Sequence, residues 1–212
     1  MGEIIDMNAI KESLTIVIDL YENNKCTYQT FELDLFTVEG INKLDEYLDV
    51  LRKLDGDIKL DLIFVNSSRP ELKAYLEHQW KIKETYDFTD FEFIELLHWE
   101  FMGYCKYPET NKSDVGALIA LASLPTVLNL DETFDLIPNQ AYSFIKEWEG
   151  ARSLVNIGEE LAIENDFYYA LEESNVLKFF EFGNYAHREL KRYVHVKGYG
   201  YYKFEDDVYP DT

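Results

Sequence analysis

The sequence has two cysteines, no long apolar run and half as many bases as acids. Cys26 and Cys105 are the only cysteines among 212 residues. Two thiols exclude a disulfide framework, and neither stands at a metal-ligand spacing. The longest strongly apolar run, Ala117–Ala122, is far too short to span a bilayer. The opening residues MGEIIDMNAIKES are acidic and lack the apolar core of a signal peptide. A soluble cytoplasmic protein without membrane contact is expected. No internal repeat and no low-complexity linker interrupts the chain.

What is abundant is negative charge. Forty-one acids stand against 20 bases, a formal net charge of -21 with a pI near 4.4. No terminal tail holds the excess: residues 1–37 carry 2 bases and 7 acids, and residues 151–212 carry 7 bases and 12 acids. With 47% hydrophobic and 16% aromatic residues, a packed core is affordable and acidic disorder is excluded. Such a field repels nucleic acid and anionic membrane and attracts basic surfaces. Direct nucleic-acid binding is therefore not expected, whereas binding to a protein that itself binds DNA is. Two plainer readings compete. Solubility accounts for a charge of about 2–8 on a small domain, well short of -21. Salt adaptation usually depletes lysine, yet 15 of the 20 bases are lysine.

Local patterning predicts an α+β chain. The β-branched run Leu14–Leu20, the polar turn Glu22–Lys25 and the alternating segment Cys26–Leu33 predict a hairpin. Thr37 is a helix N-cap before Ile41, Leu44, Leu48 and Leu51 at helical spacing. Ile58–Val65 completes a small ββαβ unit. Ser68 with Glu71, and Thr89 with Glu92, have the spacing of capping boxes. The second opens a helix with Phe93, Ile94, Leu97 and Phe101 on its apolar side. Asn139–Glu149 and Arg152–Glu164 read as two further helices, so the middle of the chain is expected to be helical. Tyr193–Val196 and Tyr199–Glu205 suit a hairpin around Lys197-Gly198. Three domains are expected: an α+β domain over 1–67, a helical domain over 68–150, and an acidic α+β domain over 151–212.

Two segments concentrate the acids. From Glu84 to Glu100 the chain has Glu84, Asp87, Asp90, Glu92, Glu95 and Glu100 and no base. Between Arg152 and Lys178 it has Glu159, Glu160, Glu164, Asp166, Glu172 and Glu173, again with no base, and Glu181 follows. Aromatics crowd the second segment. Phe179, Phe180, Phe182 and Tyr185 exceed what one short helix needs for its core, and are candidates for a two-fold self-contact giving a homodimer.

Catalytic alternatives find little. Glu95 and His98 form a Glu-x-x-His pair, but a di-iron bundle needs two such pairs and two more carboxylates, and no second pair occurs. His78, His98, His187 and His195 lie in no nucleophile elbow, zinc motif or phosphate loop. Arg188, Lys191 and Arg192 form one basic cluster, suited to pairing with nearby acids or the helix end. A hydrolase built on paired carboxylates is the enzyme alternative. No catalytic, metal-binding or cofactor-binding residue is expected.

The C-terminal stretch resembles the ArdA-type antirestriction proteins. The acidic helix is IGEELAIE, Ile157–Glu164. The later aromatic–acid–aromatic segment is Phe179-Phe180-Glu181-Phe182-Gly183-Asn184-Tyr185-Ala186, followed by Arg188-Glu189-Leu190. Gly40-Ile41-Asn42-Lys43-Leu44 is similar to the family's short helix-opening segment. This chain departs by His187, an insertion before the arginine, by Phe182 in place of a tyrosine, and by extra sequence around residues 66–112. The resemblance implies an elongated, dimeric mimic of duplex DNA that occupies the DNA site of type I restriction-modification enzymes, without catalytic residues. The same physics admits a CRISPR effector or a nucleoid protein as target. Duplex DNA carries one charge per ~1.7 Å, so 21 charges equal ~36 Å of duplex and a dimer's 42 equal ~71 Å.

Overall fold

Leu14, Ile16, Ile18 and Leu20 are buried, and the residues between them are not. This period of two makes β1 (Leu14–Glu22) the centre of a sheet with one covered face. The computed structural model describes residues 12–22, 25–54, 58–106, 112–124, 132–133, 136–137, 142–147 and 153–204. They form a mixed α+β structure with seven helices and two antiparallel three-stranded sheets. Among the described residues no helix is long and apolar enough to cross a membrane. The chain divides into two compact units, Met1–Pro138 and Asn139–Thr212. The boundary expected near residue 67 falls inside the first unit, because the helices that follow it pack on the first sheet and on one another.

In the first unit β1 lies between β2 (Lys25–Asp34) and β3 (Ile58–Ser67), both antiparallel to it. Helix α1 (Val38–Leu51) begins as expected. Thr37 has extended backbone, and its hydroxyl oxygen accepts from the Gly40 N–H at 3.0 Å. Its buried stripe is Ile41, Leu44, Tyr47, Leu48 and Leu51. Helix α2 (Pro70–Ile82) does not start with the expected capping box. The Ser68 hydroxyl donates to Glu12 Oε2 at 2.7 Å and accepts from the Ser13 N–H at 3.0 Å. Arg69, at the N-cap, closes a two-oxygen ion pair on the same Glu12. A tertiary partner thus takes the hydroxyl that the local pattern assigned to the helix. The Thr89–Glu92 box of α3 (Asp90–Lys106) does form, with bonds of 2.9 and 3.2 Å running in opposite directions. Phe93, Ile94, Leu97 and Phe101 are all buried. Helix α4 (Lys112–Ser123) is buried continuously from Val115 to Leu121, as its composition requires.

In the second unit the described part of Asn139–Glu149 is not the expected helix. Tyr142–Lys146 is strand β4, paired with β6 (Gly200–Phe204), which also pairs with β5 (Val194–Val196). YSFIK is aromatic and β-branched, and Tyr142 opposes Phe204 while Ile145 opposes Tyr201. Those cross-strand pairs outweigh any helical tendency of the segment. The expected β5–β6 hairpin is present, and Gly198 takes a left-handed φ of 87° in its turn. Three helices complete the unit: α5 (Ser153–Glu164), α6 (Phe167–Glu173) and α7 (Phe182–Glu189). One core joins Ile145, Ile157, Leu161 and Ala186, and a second joins Ala162, Leu171 and Phe182.

Candidate acidic binding surface

The two acidic segments differ in what their carboxylates do. In the first unit Asp90 is half-buried. Its Oδ1 lies 2.9 Å from Lys83 Nζ, and its Oδ2 accepts the Leu60 N–H at 3.2 Å. Glu95 reaches back to Arg52 at 2.6 Å. Glu92 is held by the Thr89 backbone N–H and then the Thr89 hydroxyl, which together keep its pKa below the usual carboxylate value. These three acids hold α3 in place. Of the candidate set here Glu84, Asp87 and Glu92 are exposed without an ion pair among the described residues, and Glu92 alone of these is tied down, by Thr89. Asp87 closes the preceding 3-10 turn with a left-handed φ of 59°.

Glu84 and Asp90 also line a cleft of about 570 Å³ with Leu51, Arg52, Leu60 and Phe91. A hydrolase would need both carboxylates directed at a substrate. Asp90 instead has both oxygens engaged by Lys83 and Leu60.

The second segment is different. Glu159, Glu164, Asp166, Glu172 and Glu173 are all exposed, and none makes an ion pair among the described residues. Glu160 is half-buried. Glu181 is exposed, and its carboxylate accepts from Asn184 Nδ2. The scaffold beneath is packed with aromatic rings. Asp166 and Asn175, both at φ 56°, bracket α6, and both are residue types that tolerate the left-handed region. Phe180 packs edge-on against Phe167 and Phe182, at centroid distances of 5.2 and 5.0 Å.

That packing separates the four candidate rings. Phe182 is only 8% exposed and belongs to the unit's own core. Phe180 and Tyr185 pack against the same core. Of the four candidate rings only Phe179 stands out in solvent, 74% exposed. Phe179 ends a 3-10 turn and Phe180 takes extended backbone after it.

Glu95 and His98 do not act together either. His98 is buried; its Nε2 lies 3.6 Å from Asp45 Oδ1, and its Nδ1 has no hydrogen-bond partner. Among the described residues no group of three or more His, Cys, Asp or Glu could hold a metal. Burial, only partly offset by the Asp45 charge, depresses the His98 pKa below 6.5. The unfolded chain therefore binds a proton that the folded chain does not, in the window from 6.5 down to the depressed value. Stability contributed by neutral His98 is complete above pH 6.5 and falls as pH is lowered through that window. Replacing His98 by Gln should flatten the stability profile there, by no more than about 1.4 kcal/mol per pH unit. Urea denaturation at pH 7, 6 and 5 of both proteins measures this, and parallel profiles would refute it.

Sequence reasoning missed one polar cluster. Glu147, just after β4, accepts from the Gly198 N–H at 2.7 Å and lies 3.0 Å from His195 Nε2. His195 stacks on Tyr201, with centroids 4.6 Å apart. Burial opposes ionisation of Glu147, but the Gly198 N–H and His195 outweigh it and hold its pKa below 4.5. Burial, then the Glu147 charge, raises the Tyr201 pKa. The cluster ties the β5–β6 turn to β4 across 48 residues, a separation no local pattern reveals.

No protein-family model, no curated protein and no solved structure matches this chain.

Proposed function

We propose that this protein is an acidic mimic of duplex DNA that inhibits a DNA-binding defence enzyme by occupying its DNA site, a type I restriction-modification enzyme being the first candidate. It performs no catalysis. One observation carries the reading: five exposed carboxylates on α5, on α6 and at Asp166 between them have no cation partner among the described residues and stand on an aromatic-packed scaffold. Residues 1–138 hold the larger net charge, with 12 bases against 27 acids. Several of those acids, however, are engaged inside the first unit, among them Glu12, Asp90 and Glu95.

The charge is sparse beside that of DNA. Helix α5 has 12 residues, so it is ~18 Å long, a length over which duplex carries about ten charges. The helix carries three, Glu159, Glu160 and Glu164. Inhibition must then sum many weak contacts, and its salt dependence should be shallower than that of DNA on the same enzyme.

The test is a competition titration against duplex DNA on a purified type I enzyme at several salt concentrations. Glu159→Gln or Glu173→Gln alone should weaken inhibition less than about fivefold, as an exposed ion pair allows. Replacing Glu159, Glu164, Glu172 and Glu173 by Gln together with Asp166→Asn should weaken it on the order of fifty- to hundredfold and reduce the salt slope. A discrete enzyme site behaves oppositely, since one carboxylate removes all function and its neighbours are silent. Full loss from one Glu→Gln in a folded protein would overturn the mimic reading.

A further inference from the structure

The acids without an ion pair among the described residues share their segment with large apolar side chains that stay substantially exposed. Ile163, Phe167, Tyr169, Val176 and Phe179 are large hydrophobics that remain substantially exposed. They lie between Glu159 and Glu181, interleaved with Glu164, Asp166, Glu172 and Glu173. Exposed apolar side chains that cluster in one segment mark a binding surface more often than scattered single ones do.

Phe179 is the most exposed of them. Its neighbours Phe180 and Phe182 belong to the unit's own core or pack against it, and its own N–H is held by the Val176 carbonyl at 2.9 Å. Its ring face accepts a cation, since Lys178 Nζ sits 5.0 Å from the ring centroid.

Two occupants are conceivable, and charge separates them. A second copy laid on the same face by a two-fold axis would set these carboxylates against themselves, with Lys178 the one base between Glu159 and Glu181 to offset them. A surface bearing lysine or arginine beside an apolar hollow complements both the acids and the rings. We infer that the α6 to Phe179 segment is a docking face for a basic, partly apolar protein surface, with Phe179 as the anchor that enters the apolar hollow. This rests on the DNA-mimic reading and adds what DNA lacks: a buried aromatic contact that selects protein over any other polycation and persists when salt screens the charges.

The test uses the full chain and two synthetic helical peptides of equal positive charge. One has a leucine face, and in the other serine replaces every leucine. Calorimetric titration at low and high salt should show the leucine peptide binding at least about tenfold tighter, as burial of one aromatic side chain allows, with the preference surviving high salt. Phe179→Ser should remove most of the preference and leave the serine-peptide affinity unchanged. Tyr169→Ser, at a second exposed ring, should reduce it independently. Equal affinities for the two peptides, or a preference untouched by Phe179→Ser, would overturn the proposal. So would sedimentation showing a dimer that Phe179→Ser dissociates, because a second copy then covers the face. The peptide titration does not involve the restriction enzyme. If that enzyme is not inhibited while the peptide preference holds, the choice of target fails and the docking face stands.

Discussion

Gly158→Ala should unfold or severely loosen the second unit, although alanine is the better helix former. Gly158 lies in the middle of α5, where the exchange by itself favours the helix by about 1 kcal/mol. A methyl group there would sit 2.0 Å from the Phe182 carbonyl oxygen and 2.6 Å from its carbon. Both are backbone atoms of α7, so no side chain can swing away. The two helices must separate, and Phe182 must leave the core it shares with Ala162 and Leu171. Overpacking typically costs about 1–3 kcal/mol, and a backbone clash this close belongs at or above the top of that range. Gly103 in α3 is the matched control. A methyl group added there meets nothing within 4 Å, so Gly103→Ala should stabilise by about 0.5–1 kcal/mol. Thermal melts compare the two variants, and amide exchange in α5 and α7 localises the damage. A Gly158→Ala protein as stable as the parent would show that α5 and α7 are not packed backbone to backbone. The same change should also disturb the acidic face, because α5 carries Glu159 and Glu164.

Asp90→Ala should cost about 3 kcal/mol of stability in the first unit, the low end of the range for breaking a buried ion pair. Lys83 is only 8% exposed and would lose its anionic partner. The Trp80 ring, 4.3 Å from Lys83 Nζ, softens the loss without replacing an anion. The variant also removes the acceptor of the Leu60 N–H on β3, which lies at the edge of its sheet. Two readouts separate these causes. Lys83→Met combined with Asp90→Asn removes both charges and keeps an acceptor for Leu60, so it should recover most of the loss. Asp90→Ala alone should speed hydrogen exchange of the Leu60 amide. A loss below about 1 kcal/mol, the value of an exposed pair, would mean that Asp90 is free to serve as part of the acidic surface after all.

The α+β class, the opening ββαβ unit, the α1 and α3 caps and the last hairpin were all legible in sequence. Each is decided within a few residues. Thr37 reaches Gly40, Thr89 reaches Glu92, and Gly198 turns the chain between adjacent strands. The net charge of -21 and its spread along the chain were equally a matter of sequence. Tertiary structure decided the rest. Ser68 lost its capping role to Glu12, 56 residues away. Tyr142–Lys146 became a strand because β6 stood ready to pair with it, 54 or more residues later in the chain. Glu95 and Asp90 read like the other acids, but Arg52 and Lys83 took them out of the exposed set. Phe180, Phe182 and Tyr185 read like Phe179, yet the core formed with Ala162 and Leu171 absorbed them and left Phe179 outside. Composition counts charges and rings. Whether a carboxylate meets a cation or a ring meets a core is settled by partners far along the chain, and so the face this protein offers to others exists only once it has folded.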